Sequence, residues 1–150
     1  MNLPIDFTFD YEKPNVSRKG RMRTPASIYL PRQKANKPLT GGILFISQPW
    51  LDHNSINGSE IAMQIKDREN TFIIFHPPKN APRFASRPSS PRQNTLAYSC
   101  TEAVRKLMEI FTTNAQNTTV ELWLEKVGTF KESIVCRLRY PTVEDTFYRF

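Results

Sequence analysis

Residues 41–76, GGILFISQPWLDHNSINGSEIAMQIKDRENTFIIFH, constrain the fold more than any other part of this chain. Gly41-Gly42 opens the stretch, and Ile43, Leu44, Phe45 and Ile46 form an apolar run of mostly β-favouring residues. Ser47 can cap a helical turn whose Trp50, Leu51 and Ile56 fold back on that strand. Asn57-Gly58 then calls for a tight reversal, because glycine accepts a positive φ at no steric cost. Ile61, Met63 and Ile65 alternate with Ala62, Gln64 and Lys66, the pattern of a half-buried strand. Asp67-Arg68-Glu69-Asn70 makes a hairpin loop, residues 71–75 return, and Pro77-Pro78 stops the ladder because proline has no N–H to donate. The stretch therefore reads as strand, short helical turn and β-hairpin.

The second half carries a different rhythm. Ser99 with Glu102 has the spacing of a capping box, and Cys100, Ala103, Val104, Leu107, Met108 and Phe111 recur on one helical stripe. Glu102–Lys106 and Arg105–Glu109 are opposite-charge pairs on the other side. Val120, Leu122 and Leu124 alternate with Glu121, Trp123 and Glu125, Gly128 marks a turn, and Ile134, Cys136 and Leu138 return inward. Outward Arg137 and Arg139 then face the outward carboxylates of the preceding strand, so that face is expected to pair with itself.

These elements imply an α+β class with antiparallel strands. The expected organisation is a basic N-terminal arm at 1–25, a β-rich motif at 26–78, a basic Pro/Ser-rich linker at 79–95, and a helix plus β-hairpin subdomain at 96–150 packed on the motif. The arm offers one short strand, with Ile5, Phe7 and Phe9 alternating, and a second strand at 27–30 is broken by Pro31.

Charge narrows the function. The net value is +7, and residues 102–150 are balanced, so the whole excess lies earlier. Lys13, Arg18, Lys19, Arg21, Arg23, Arg32, Lys34 and Lys37 follow one another with no acid between 13 and 37, and Lys79, Arg83, Arg87 and Arg92 form a second acid-free run. Such asymmetry favours a polyanion, because each phosphate neutralised releases condensed counterions. Arg18, Lys19, Arg21, Arg23, Arg32, Lys34 and Lys37 are the candidate contacts to DNA or RNA, mainly to phosphates; the plain alternative is a basic surface that serves solubility. Phe84, between Arg83 and Arg87, is a candidate for stacking on a base.

The start of the chain has acids and no apolar run, no stretch approaches the roughly 20 apolar residues of a membrane span, and a cytoplasmic protein is expected. Cys100 and Cys136 sit in apolar-periodic positions and read as buried thiols. The two histidines, His53 and His76, come without CxxC, HExxH or a Gly-rich phosphate loop, so no catalytic residue, metal ligand or cofactor site is assigned. The acid–base groups available for RNA cleavage are His53 with Asp52 or Glu60, and a surface dipeptide is the plainer reading of Asp52-His53.

Residues 43–46, Trp50-Leu51, Ile56, Gly58-Ser59, 61–65 and 72–75 fall in an order that resembles the swapped-hairpin superfamily typified by AbrB and MazE-type antitoxins. Gln48-Pro49-Trp50-Leu51, with the upstream strand and basic proline-containing loop, resembles the SymE-like branch. Ser47 stands where such motifs usually carry proline, and Ser55-Ile56 replaces a Gly-Phe. The resemblance spans about residues 27–78. It implies a swapped-hairpin-like β-α-β-β motif, a homodimer with intertwined hairpins, and nucleic-acid binding, often of DNA, by basic residues near the first strands. It also brings an alternative, a SymE-like toxin that cleaves RNA. A third reading is a protein-interaction module that uses exposed strands and the aromatic tail of Phe147, Tyr148 and Phe150.

Overall fold

The computed structural model describes residues 22, 24–32, 40–90, 93–112 and 118–145. Among them are eight strands and two helices: β1 (Ala26–Tyr29), β2 (Ile43–Ser47), α1 (Gln48–His53), β3 (Glu60–Ile65), β4 (Thr71–Phe75), β5 (Phe84–Ser90), β6 (Gln93–Ser99), α2 (Thr101–Phe111), β7 (Thr119–Phe130) and β8 (Ser133–Arg139). All pairings are antiparallel, and the strands close into a barrel in the order β1-β2-β6-β5-β3-β4-β8-β7.

Alternation decides what the barrel encloses. Ile28 lies opposite Leu44, and Leu44 opposite Tyr98. Ala26 lies opposite Leu122, Leu124 opposite Leu138, Ile73 opposite Cys136, and Ile61 opposite Phe75. All of these side chains are buried. An eight-stranded barrel is just wide enough for its own side chains to fill, and this interior is apolar and packed. Glu121, Glu125, Gln64 and Arg137 occupy the alternate, outward positions. Tyr29, Ile43, Phe45, Phe72 and Ile74 share that outer face, and no helix among the described residues is long and apolar enough to cross a membrane.

A helix closes each end. At the N-terminal end of β2, α2 lies so near that a Cβ on Gly42 would stand 2.7 Å from Thr101 Cα. Gly42 donates its N–H to Thr101 Oγ1 (3.1 Å) and accepts from the Cys100 N–H (3.1 Å). Val104, Leu107, Met108 and Phe111 bury the apolar stripe of α2 against the barrel mouth. Its last carbonyls, which a helix leaves without internal partners, are met by neighbours: Arg68 Nη2 donates to Ile110 O (3.1 Å) and the Tyr140 hydroxyl to Phe111 O. At the opposite end Ser47 Oγ caps α1 by accepting from Trp50 N (3.3 Å), Pro49 sits in the first turn, and Trp50 and Leu51 are buried. Trp50 packs 6.3 Å from the Phe75 ring.

The barrel corrects the expected α+β class with a swapped-hairpin motif. The β3–β4 hairpin does form, but it is paired on both sides within its own chain: β3 with β5 at Glu60–Ala85 and Ile61–Phe84, β4 with β8 from Phe72–Arg137 to Phe75–Ile134. β2 does not lie beside that hairpin but between β1 and β6. The span 79–95, expected as a linker, instead contains β5 and the start of β6. Pro88 hides the strand in the sequence, and the ladder accommodates it with a register shift between Pro88 and Ser90.

Smaller expectations also change. The N-cap of α2 is Cys100, without a side-chain cap; its thiol donates to Tyr98 O (3.2 Å), and Ser99 points outward. Arg105 takes both carboxylates of its helix, Glu102 at 3.1 Å and Glu109 at 2.5 Å, so the Glu102–Lys106 pair does not form. The positive φ before β3 belongs to Ser55 (56°), and the one at the β7–β8 turn to Lys131 (56°). Gly128 lies at a register shift inside β7 instead.

Candidate nucleic-acid interface

Of the seven candidate phosphate contacts, Arg18, Lys19, Arg21, Arg23, Lys34 and Lys37 lie outside the described residues. Arg32 is exposed just beyond β1 and makes no ion pair among the described residues. The described residues carry twelve basic and eleven acidic side chains, so the barrel itself is close to neutral and most of the +7 belongs to the remaining segments.

β1 is the strand to which those segments attach. Residues 13–23 join it through Thr24 and Pro25, both buried; Thr24 Oγ1 donates to Ala26 O (2.8 Å), and Pro25 O accepts from Ser47 N (2.9 Å). Residues 32–40 leave through Pro31, whose Cγ would stand 3.0 Å from a Cβ on Gly41, so the two feet of that connection touch. Gly41 itself has φ 81°, which a β-carbon would strain. β1 is hydrogen-bonded on both flanks, to β2 and β7. Both halves of the long basic run are thus tied to opposite ends of one strand.

The outward face around that strand has a definite register. Ser27 lies opposite Phe45, Phe45 opposite Ala97, and Ala97 opposite Arg87. One step along, Tyr29 lies opposite Ile43, and Ile43 opposite Ser99. Tyr29 and Phe45 are half-buried, whereas Arg87 and Ser99 are exposed. Glu121, opposite Ser27 on β7, borders this face with a negative charge. The sequence reading passed over Tyr29 and Phe45. Their alternation with Ile28 and Leu44 was a visible signal, but an apolar run of four gives no clue to which side faces out.

The second basic run is split by its surroundings. Lys79 and Arg87 are exposed without an ion pair among the described residues, and Arg92 lies outside them. Arg83 is engaged, with Nη1 3.3 Å from Glu60 Oε1 and Nη2 2.5 Å from Pro78 O. Phe84 is opposite Ile61 and packs on the core, which removes it as a stacking candidate.

On β7 and β8 the charges neutralise one another, as expected for that hairpin. Glu125 meets Arg137 (3.4 Å) and Arg139 (2.9 Å), and Arg139 also meets Asp145 (2.8 Å). Hydrogen bonding from Arg139 holds the Asp145 carboxyl down at about 2, and the same bond raises the guanidinium. Arg137 lies 5.5 Å over the Phe72 ring.

Of the acid–base groups available for RNA cleavage, His53 and Asp52 are exposed near the C-terminal end of α1, where Asp52 accepts from Gln48 Nε2 (2.8 Å), and Glu60 pairs with Arg83 (3.3 Å). The other histidine, His76, accepts from Asn57 N through Nε2 (3.1 Å). Burial pushes the Cys100 thiol up to about 11 and the Cys136 thiol up to about 12, away from the thiolate a nucleophile requires. Among the described residues no group of three or more His, Cys, Asp or Glu side chains could hold a metal ion. Comparison with known proteins finds no matching family model, no matching curated protein and no matching solved structure.

Proposed function

We propose that this chain binds nucleic acid, chiefly through phosphates, with the barrel serving as the mount for its basic segments. The observation that carries the reading is the acid-free run between residues 13 and 37, with eight bases, attached to both ends of β1 on a barrel whose own charges nearly cancel. A basic surface that only kept the chain soluble would need no such segregation. Arg18, Lys19, Arg21, Arg23, Arg32, Lys34 and Lys37 supply the contacts. Phosphate contacts fix position and carry no sequence information, so the reading specifies neither DNA nor RNA nor a target site. A homodimer, if formed, uses outer surfaces of the finished barrel, since the β3–β4 hairpin already has both its neighbours.

The test is a charge reversal of Arg18, Lys19, Arg21 and Arg23 to Glu, with binding to DNA and RNA followed by gel shift across a salt series. The parent should bind, with log affinity falling against log salt at a slope of about 0.7 to 0.9 per phosphate engaged. The reversed variant should lose binding while its melting temperature stays near the parent's. If the parent binds neither nucleic acid at low salt, the charge serves solubility and the interaction-module reading takes its place.

A further inference from the structure

The outward face of β1, β2 and β6 holds two half-buried rings, Tyr29 and Phe45, on adjacent strands. They are diagonal neighbours, because Phe45 faces Ser27 and Tyr29 lies two residues further along the same face. Such neighbours stand about 7 Å apart, within reach of aromatic side chains. On the same face Ile43 lies opposite Tyr29 and two residues from Phe45, Ser27 and Ser99 stand beside them, and Ala97, opposite Phe45, is fully buried. Arg87 ends the row through Phe45 on one side, and Arg32 follows Tyr29 by three residues on the other. Both guanidiniums are exposed and without an ion pair among the described residues, and one carboxylate, Glu121, borders the face.

We propose that this face is a stacking platform for single-stranded nucleic acid, with one base on Tyr29, one on Phe45, and the connecting backbone passing Arg32 and Arg87. This rests on the nucleic-acid reading above and adds the form of the ligand. Bases in a duplex are stacked on one another and cannot present their faces to a ring, whereas unpaired bases can. Stacking tolerates any base, because every base has a π-face, so the platform asks for an unpaired strand and not for a sequence. The positive ends match the chain of phosphates, and the apolar middle matches the bases. A peptide partner would leave Arg32 and Arg87 without counter-charges unless it were acidic at both ends of the row.

The experiment measures fluorescence anisotropy with labelled oligothymidylate, oligouridylate and a mixed-sequence duplex of equal length. The parent should bind single strands at least about tenfold more tightly than duplex. The double variant Tyr29→Leu/Phe45→Leu, which keeps apolar bulk, should lose at least about tenfold for single strands and little for duplex. Tyr29→Phe, which keeps the ring, should bind like the parent. The two oligonucleotides separate DNA from RNA as the source of the strand. Equal affinity for single strands and duplex overturns the proposal, as does parental affinity in a folded leucine variant. Should the leucine variant fail to fold, photocrosslinking of the parent to a bromouracil-containing strand decides. Adducts at Tyr29 or Phe45 support the platform, and adducts only elsewhere refute it. Loss of all binding in the charge-reversed variant, with the leucine variant unaffected, would sink this inference and leave the broader reading standing.

Discussion

Gly58 is required by space and not by its backbone angle. A Cβ there would stand 2.7 Å from Leu51 Cδ1, 2.8 Å from Tyr98 Oη and 2.9 Å from Leu96 Cδ1, while Gly58 O accepts the buried Tyr98 hydroxyl at 2.6 Å. Gly58→Ala should therefore destabilise the barrel by about 1–3 kcal/mol or more, as overpacking does, with the Tyr98 bond displaced in the process. Urea unfolding checks it, and a variant as stable as the parent would mean that α1 shifts freely. Asp145 makes a different prediction. Its carboxyl is held at about 2 by Arg139, below the ordinary value near 3.9, so its contribution is complete above about pH 4 and is lost as pH falls through about 2. Asp145→Asn should be less stable than the parent at neutral pH, and the gap should close near pH 2. A gap that persists in acid would assign the effect to packing. Sequence reading placed Trp50 in the core correctly, because size and polarity decide burial. It gave Gly58 the wrong reason, because contact with Tyr98, forty residues away, is not a local property.

The elements differ in how far they could be read. β3, β7 and β8 follow alternation that needs no distant partner, β2 and β4 stand out only as short apolar runs, and the stripe of α2 is plain. β5 and β6 were missed because Pro88 and the serines around it look like tether, and because Leu96 and Tyr98 gain meaning only once β2 lies alongside. The same weakness marks the seam between β3 and β5, which has only two register pairs where β3 and β4 share five. Backbone amides at Ala85 and Ser86 are therefore predicted to exchange with deuterium sooner than those at Ile73 and Ile74 in β4, whose ladders to β3 and β8 have five and four register pairs. Native-state hydrogen exchange followed by mass spectrometry measures this. Equal protection along the two strands would show that the barrel opens only as a whole.

On the scale of the whole molecule, the eight-strand closure could not be read from periodicity, since nothing in 26–29 announces that it will pair with 119–122. What periodicity supplied was the correct inward set for β3, β7 and β8, and the barrel follows only once the edges of all eight strands are joined. The candidate interface was legible as charge and illegible as surface: the basic run stands in the sequence, whereas the rings of Tyr29 and Phe45 come together only through register. The function proposed above places the load of a bound polymer on β1, a strand of four residues with basic chain tied to each end. Tension from such a polymer would run along the strand axis. The ladders to β2 and β7 lie across that axis, so they would be sheared together instead of being peeled one rung at a time. A short strand fixed in this way behaves as a rivet: a pull on either basic segment is spread over both neighbours before any single hydrogen bond has to give.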